Sequence, residues 1–134
     1  MSLVADNISL HLAGFDLLRN ISLEVETGKV TAIVGPNGAG KSSLLKVLPG
    51  EMAATKGQVY LNNRLLQHWP LLDKAQLLAV LPQHTMLNFP FTADEVVGLG
   101  RIPHNTGLSK DREIITEALD LVDASYLQKR LYTQ

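Results

Sequence analysis

The sequence has 134 residues, of which 46% are hydrophobic, and its 12 basic and 13 acidic side chains leave a net charge of −1. That length suffices for one domain with its own core, and the balanced charge excludes the basic surface typical of nucleic-acid-binding proteins. The absence of cysteine excludes disulfides and thiolate metal sites. No apolar run reaches the roughly 18 residues that span a bilayer, and the N-terminus lacks signal-peptide features, so we expect a cytoplasmic chain.

The first 34 residues predict a small antiparallel sheet followed by one buried strand. Loosely alternating apolar residues predict a strand over Leu3–Leu12, which Gly14 ends. A short strand over Phe15–Leu18 and a half-buried strand over 21–26 are predicted next. The apolar, β-branched run Val30–Val34 is typical of a buried parallel strand.

The stretch Gly35-Pro36-Asn37-Gly38-Ala39-Gly40-Lys41-Ser42-Ser43 matches the phosphate-binding pattern G-x-x-x-x-G-K-[ST] at every fixed position. It lies between the predicted strand and a helical segment that runs to Leu48, the order that phosphate binding requires. Backbone N–H groups of such a loop and of the first helical turn replace the hydration of phosphate oxygens. Lys41 adds a positive charge for the β- and γ-phosphates, and the Ser42 hydroxyl offers an oxygen ligand to Mg²⁺. The sequence therefore predicts a nucleotide site.

Local signals then alternate between helix and strand up to residue 83. Pro49-Gly50 ends the helix that follows the loop, a strand is predicted over 58–61, and Asn62-Asn63 forms a tight turn. Pro70–Leu78 predicts a short helix. Ala79–Leu81 predicts a short apolar strand, which Pro82-Gln83 ends.

After Thr85 only helical signals remain, so we predict a first subdomain over residues 1–85 and a second over 86–134. Thr92 and Glu95 fit a capping box for a helix that runs to Leu99 and is closed by Gly100. Ser109 is predicted to cap a longer helix. The apolar face predicted for that helix consists of Ile114, Ile115, Ala118, Leu119 and Val122. A last helical turn is predicted over Ser125–Leu131.

These motifs, in this order, resemble the N-terminal half of an ATP-binding-cassette ATPase, the nucleotide-hydrolysing subunit of an ABC transporter. The resemblance rests on the antiparallel strands, on 35–43 as Walker A, on the strand that follows Gly57, and on Leu81-Pro82-Gln83 as the Q-loop. The segments 89–97 and 100–104 are similar to the importer subgroup for haem, iron-siderophores and vitamin B12, and most similar to haem-import ATPases. The implied fold is α/β: a truncated P-loop NTPase core with an N-terminal antiparallel β subdomain and the start of a helical subdomain.

The resemblance implies ATP and Mg²⁺ as cofactors. Gln83 would contact Mg²⁺ and the water beside the γ-phosphate, which gives it a catalytic and a metal-binding role. Ser42 would be the other metal-binding residue. The family usually stacks adenine on an aromatic residue upstream of Walker A. This sequence has Leu12 at that position, and a leucine offers apolar contact only. We expect the nearby Phe15 to pack in the core or a loop. The residues implied to hold the nucleotide are Gly35, Pro36, Asn37, Gly38, Ala39, Gly40, Lys41, Ser42, Ser43 and Leu12.

The resemblance also implies partners and a location. Transmembrane permease subunits and a second copy of the ATPase subunit would be direct partners, and a periplasmic binding protein an indirect one. The expected location is the cytoplasmic face of the bacterial inner membrane, where the chain would be peripheral, and no nucleic-acid partner is expected.

Other parts of the family pattern do not occur in these 134 residues. The signature sequence, a Walker B strand with its catalytic glutamate and the switch histidine are not found, and Asp94-Glu95, Asp120 and Asp123 lie in predicted helices. We therefore expect weak nucleotide binding without turnover from this chain alone. The histidines show no metal-ligand spacing and are expected on the surface or in loops. They are His11, His68, His84 and His104.

Three alternatives are weighed against the importer subunit. A soluble ABC protein of repair or translation would carry two cassettes or long insertions, which are not seen. A GTPase would carry an Asn-Lys-x-Asp motif, and the antiparallel strands before the loop disfavour both a GTPase and a small-molecule kinase. A folding unit without activity of its own is compatible with the importer interpretation.

Overall fold

A computed structural model describes residues 2–82 and 89–132, which form two compact units. The first unit extends through Val80 and the second begins at Leu81. The predicted division at residue 85 stays a prediction, because that residue lies outside the described ranges. No helix in the described ranges is both long and apolar enough to cross a membrane.

The first unit contains a four-stranded antiparallel sheet with the spatial order β2-β1-β3-β4. The strands are β1 (Leu3–Leu12), β2 (Phe15–Val25), β3 (Lys56–Leu61) and β4 (Arg64–Leu65). Both hairpin turns contain residues with positive φ, at Ala13-Gly14 and at Asn62-Asn63, as tight hairpin turns require. The predicted antiparallel sheet is therefore confirmed, and so are the turns that Gly14 and Asn62-Asn63 indicated.

One continuous strand, β2, replaces the two strands predicted over Phe15–Leu18 and 21–26. The pairing register of β1 with β2 shifts three times, so irregularities absorb extra residues without ending the strand. The last shift lies between Leu10, which pairs with Leu18, and His11, which pairs with Asp16. Leu17 is the extra residue of this irregularity.

The core of the first unit lies between the sheet and helix α1 (Lys41–Val47). The presence of α1 confirms the helix predicted after the glycine loop. Pro49-Gly50 follows the helix, and Gly50 adopts a left-handed φ of 80°. Helix α2 (Leu71–Leu77) follows Pro70 and agrees with the predicted helix. The buried apolar residues are Leu3, Ala5, Ile8, Leu10, Leu18, Leu44, Val47, Leu48, Val59, Leu61 and Leu66.

Two predicted strands, Val30–Val34 and Ala79–Leu81, are wrong: neither segment is a strand in the structure. Val30 is 99% exposed, where a buried position was expected. A buried strand needs hydrogen-bonded neighbours for its backbone, and within the described residues no strand pairs with either segment. Strand propensity alone is therefore insufficient here.

The second unit consists of helices α3 (Ala93–Leu99) and α4 (Leu108–Asp120), followed by a 3₁₀ turn over Ser125–Leu127. The N–H of Thr92 donates to the Glu95 carboxylate over 2.8 Å, which confirms the predicted capping box at the start of α3. The helix ends at Leu99 and Gly100 is its C-cap, as predicted; the φ of Gly100 is −65°, in the right-handed region.

Helix α4 begins one residue before Ser109, so the predicted cap is wrong. Gly107 is the N-cap instead, with a φ of 85° that favours glycine. Leu119 is buried as expected, whereas Val122 lies beyond the helix and is exposed, so the predicted apolar face is shorter than expected. The final turn ends at Leu127 and not at Leu131.

Candidate functional site

Residues 35–40 form a loop that leads directly into α1. Gly40 is the N-cap of that helix, and its carbonyl oxygen accepts the first helical hydrogen bond, from the Leu44 N–H, over 2.9 Å. The N–H groups of the first turn precede this bond, so they point out of the N-terminal end of the helix. Together with the positive end of the helix dipole, they favour an anion at this end.

The loop is seated on strand β2 through Gly40. A Cβ atom added to Gly40 would lie 2.5 Å from the carbonyl oxygen of Leu17 and 2.9 Å from Cδ2 of Leu18. Gly40 also has a left-handed φ of 86°, which other residues adopt only at a cost. Both the close approach and the backbone conformation therefore require glycine at this position of the motif.

Lys41 folds back over the loop that precedes it. Its Nζ atom donates to the carbonyl oxygen of Gly35 over 2.7 Å and to that of Pro36 over 2.8 Å. Within the loop, the N–H of Ala39 donates to the Pro36 carbonyl over 3.3 Å. The ammonium group thus joins the start of the loop to the start of the helix and places a positive charge beside the first-turn amides.

Few side chains in the described residues offer ligands to a divalent cation. Ser42 is exposed in the first turn of α1 and offers one hydroxyl oxygen. Among residues 2–82 and 89–132, no group of three or more His, Cys, Asp or Glu side chains could hold a metal ion. Mg²⁺ commonly keeps several waters and binds through one or two protein oxygens plus phosphate oxygens. Ser42 fits that mode, in which the nucleotide supplies most of the ligands.

Gln83 and His84 lie outside the described residues, so the role predicted for Gln83 stays a prediction. Of the other histidines, His11 and His68 are exposed and His104 is half-buried.

Leu12 ends β1 and pairs directly with Phe15, the first residue of β2. The two side chains are 51% and 71% exposed, respectively. Of the two packing sites expected for Phe15, the core is therefore wrong, and packing in a loop stays a prediction. The exposure of Phe15 depends on the hairpin register, and that register includes the extra residue Leu17, which no sequence pattern indicates.

His11 and Asp16, the pair next to Leu12 and Phe15, are polar and lie on the opposite face of the hairpin. His11 Nδ1 lies 2.7 Å from Oδ1 of Asp16, and Arg19 Nε lies 3.2 Å from Oδ2 of the same carboxylate. The hydrogen bond from His11, with the positive charge of Arg19 nearby, holds the pKa of Asp16 below its ordinary value. These polar groups are thus engaged with one another.

Comparisons with known proteins show what this chain is similar to. The sequence profile described as ABC transporter matches residues 18–134. The chain is similar to the hemin import ATP-binding protein HmuV of Pseudomonas fluorescens strain Pf-5, with 48% identity over 127 residues that cover 95% of this chain and 50% of the relative. HmuV of Gloeobacter violaceus is 46% identical over 132 residues, covering 97% and 48%. The chain spans about half the length of the curated relatives it matches.

Solved structures have the same fold. A nucleotide-free ATP-binding cassette from an ABC transporter superposes with a TM-score of 0.77 at 27% identity, covering 98% of this chain and 58% of that one. The ATP-binding subunit of another ABC transporter superposes with a TM-score of 0.82 at 21% identity, covering 98% and 54%, a likeness of fold alone. The predicted fold class is confirmed.

Proposed function

Because this chain belongs to the ABC transporter family, we propose that it is the ATP-binding part of a subunit that energises haem import by binding and hydrolysing ATP. The observation that carries the proposal is the loop 35–43, which runs into the head of α1 and has the Lys41 ammonium folded over it. The hemin-import function named for the similar curated proteins supports haem as the cargo, in preference to a siderophore or cobalamin.

In the proposed nucleotide complex, phosphate oxygens accept hydrogen bonds from the first-turn amides of α1. The Lys41 ammonium exchanges its two carbonyl partners, Gly35 and Pro36, for oxygens of the β- and γ-phosphates. A hydrogen bond between two charged groups is stronger than one to a neutral carbonyl, so this exchange favours the bound state. Residues 35–43 together form the phosphate cradle.

Mg²⁺, when bound, would neutralise charge on the β- and γ-phosphate oxygens. In the proposal the Ser42 hydroxyl and the Gln83 side chain carbonyl are its protein ligands. Gln83 also orients the attacking water, which is the catalytic role that a phosphoryl-transfer site needs.

The proposal includes an assembly. Transmembrane permease subunits and a second copy of the ATPase subunit are the direct partners, a periplasmic binding protein is an indirect one, and the subunit lies peripherally at the cytoplasmic face of the bacterial inner membrane. The hemin-import names of similar proteins and the inward-facing transporter among the similar structures support this arrangement.

A titration of the purified protein with ATP and Mg²⁺ tests the nucleotide site. Lys41→Ala should weaken ATP binding about 10- to 100-fold, since a hydrogen bond to a charged group contributes about 1.5–3 kcal/mol. Lys46→Ala removes an exposed lysine from the last turn of the same helix and should leave the affinity unchanged. Equal ATP affinity of the parent and both variants would contradict the proposed site.

Growth on haem as the sole iron source tests the cargo. Bacteria without the gene should fail to grow on haem and should still grow on a ferric siderophore. The parent gene should restore growth on haem, and the Lys41→Ala gene should not. Normal growth of the deletion strain on haem would refute haem as the cargo while leaving the nucleotide site intact.

A further inference from the structure

Asn37 is the only asparagine of this sequence that a glycine follows. Asn37 and Gly38 are the two central residues of a turn, which the Ala39 N–H closes by donating to the Pro36 carbonyl over 3.3 Å. Both central residues are exposed. Gly38 has a left-handed φ of 84°, and a Cβ added to it would meet nothing within 4 Å. The Asn-Gly pair therefore lies at the open corner of a turn.

The two groups that could react with each other in this pair are the Asn37 side-chain amide and the Gly38 N–H. Within the part of the chain that the structure describes, neither of them makes a hydrogen bond. Asn20 differs, because its Oδ1 accepts from the Ser9 hydroxyl over 3.2 Å and because the branched side chain of Ile21 follows it. Glycine has no side chain, so the approach of the Gly38 nitrogen to the Asn37 amide carbon is unobstructed.

We propose that Asn37 is a site of spontaneous deamidation and that the carboxylate formed there weakens nucleotide binding. The backbone nitrogen of Gly38 bonds to Cγ of Asn37, and its proton ends on the side-chain nitrogen, which leaves as ammonia. The product is a cyclic imide, which water opens at either carbonyl to give aspartate or isoaspartate. One water enters and one ammonia leaves, so the reaction requires no oxidant, reductant or enzyme.

The effect on the nucleotide rests on the proposed nucleotide-binding function. A carboxylate at position 37 adds a negative charge to the phosphate cradle, residues 35–43, where it repels phosphate oxygens. It also attracts the Lys41 ammonium, which bonds to the Pro36 carbonyl next to it, and so competes with phosphate for that positive charge. Bound phosphate in turn holds the loop amides and slows ring closure. Nucleotide binding and deamidation therefore oppose each other.

Peptide mass spectrometry of the purified protein, incubated at mildly alkaline pH, measures the reaction. Trypsin gives the peptide 30–41, which contains Asn37 and no other asparagine. The peptide 20–29 contains Asn20 alone and is the internal control. The change from amide to carboxylate should appear in 30–41 several-fold faster than in 20–29. Equal rates in the two peptides would overturn the proposal.

Two variants test the mechanism. Asn37→Gln keeps a neutral amide on a longer side chain, for which ring closure is slower, so it should remain unconverted over the same period. Gly38→Ala places a methyl group beside the attacking nitrogen in a space that has room for it, and should slow the conversion of peptide 30–41 several-fold. Conversion of either variant at the rate of the parent would contradict attack by the Gly38 nitrogen.

ATP titrations of fresh and incubated protein test the consequence for binding. The affinity of the parent should fall as peptide 30–41 converts, whereas the affinity of Asn37→Gln, whatever its starting value, should stay constant. Asn37→Asp should bind ATP about tenfold or more weakly than the parent, because like charges meet in the site. Inorganic tripolyphosphate with Mg²⁺ should slow conversion of the parent. An unchanged ATP affinity after conversion would refute the effect on the site.

The failure of this inference differs from the failure of the proposed function. If Lys41→Ala weakens ATP binding and peptide 30–41 converts no faster than 20–29, deamidation is refuted and the nucleotide site stands. If Lys41→Ala leaves the ATP affinity unchanged, the nucleotide site is refuted together with the proposed loss of affinity, whereas conversion of Asn37 is still decided by mass.

Discussion

A Cβ atom at Gly40 would lie 2.5 Å from the carbonyl oxygen of Leu17, closer than real Cβ atoms come to backbone oxygens. Leu17 is also the extra residue in the register of β1 with β2. The irregular strand and the last glycine of the phosphate-binding motif therefore meet in one contact. That contact joins the loop to the sheet.

Alanine substitutions at two glycines of the loop should separate conformational strain from steric overlap. Gly38 and Gly40 both have left-handed φ values, 84° and 86°, but an added Cβ at Gly38 meets nothing within 4 Å. Each substitution should cost about 1–2 kcal/mol for the left-handed backbone. Gly40→Ala should lose a further 1–3 kcal/mol or so of unfolding free energy because Leu17 must move. Urea denaturation measures the difference, and equal losses would show that Leu17 does not constrain the loop.

Thr92 and Ser109 were both predicted as helix caps, but their alanine variants should lose different amounts of unfolding free energy. The Thr92 hydroxyl belongs to the capping box at the start of α3 and donates to the Glu95 carboxylate over 2.9 Å, whereas Ser109 lies inside the first turn of α4, which Gly107 caps. Thr92→Ala should reduce the unfolding free energy by about 0.5–2 kcal/mol. Ser109→Ala should change it by less than about 0.5 kcal/mol. Denaturant titrations followed by circular dichroism measure both losses of unfolding free energy. A larger loss for Ser109→Ala than for Thr92→Ala would contradict the prediction.

Two leucines at the end of α4 form a matched pair for the core of the second unit. Leu119 is buried, whereas Leu121 is 85% exposed two residues later. Leu119→Ala should destabilise the protein by about 2–5 kcal/mol because it leaves a cavity. Leu121→Ala should remain within about 0.5 kcal/mol of the parent. Similar melting temperatures for the two variants would contradict the burial of Leu119.

Asp111 should make the second unit sensitive to acid. Thr106 Oγ1 donates to its Oδ1 over 2.6 Å and Arg101 Nε donates to the same atom over 2.9 Å. These two hydrogen bonds, that of Thr106 first, lower the pKa of Asp111 below its ordinary value of 3.8. Because the folded-state pKa is depressed, the carboxylate stabilises the folded protein fully above the unfolded-state pKa, about 3.9. The contribution is lost as the pH falls through the lower, folded-state value.

The measurement is the free energy of unfolding of the parent and of Asp111→Asn from pH 7 down to pH 3. The parent should be more stable at pH 7, and the difference should shrink below about pH 4. Asp73→Asn removes the same charge from the exposed first turn of α2 and serves as the control. A constant difference between parent and Asp111→Asn across this range would show that the hydrogen bonds of Asp111 do not set its pKa.

Features that depend on neighbouring residues in the chain could be predicted from the sequence. The turn at Asn62-Asn63, the capping box of Thr92 and Glu95, and the stop at Pro49-Gly50 each depend on a few consecutive residues, and each occurs as predicted. The loop over residues 35–40 belongs to the same class because all of its residues are contiguous, and its phosphate-binding role stays a prediction.

Features that depend on distant partners could not be predicted. Val30–Val34 has strand propensity, yet a strand exists only where another strand accepts its hydrogen bonds. The exposure of Phe15 follows from the register of β1 with β2. A hairpin irregularity such as Leu17 leaves no trace in the apolar pattern.

The nearly fully exposed side chains of Val30 and Val34 have a practical consequence for anyone who purifies this protein. The five residues Val30–Val34 contain no charge and no proline, and β-branched residues predominate. We expect such a segment to pair with the same segment of a neighbouring molecule in an intermolecular sheet. Light scattering should therefore rise with protein concentration on storage, and Val30→Lys should suppress it, because a charge at this position acts as a gatekeeper against aggregation.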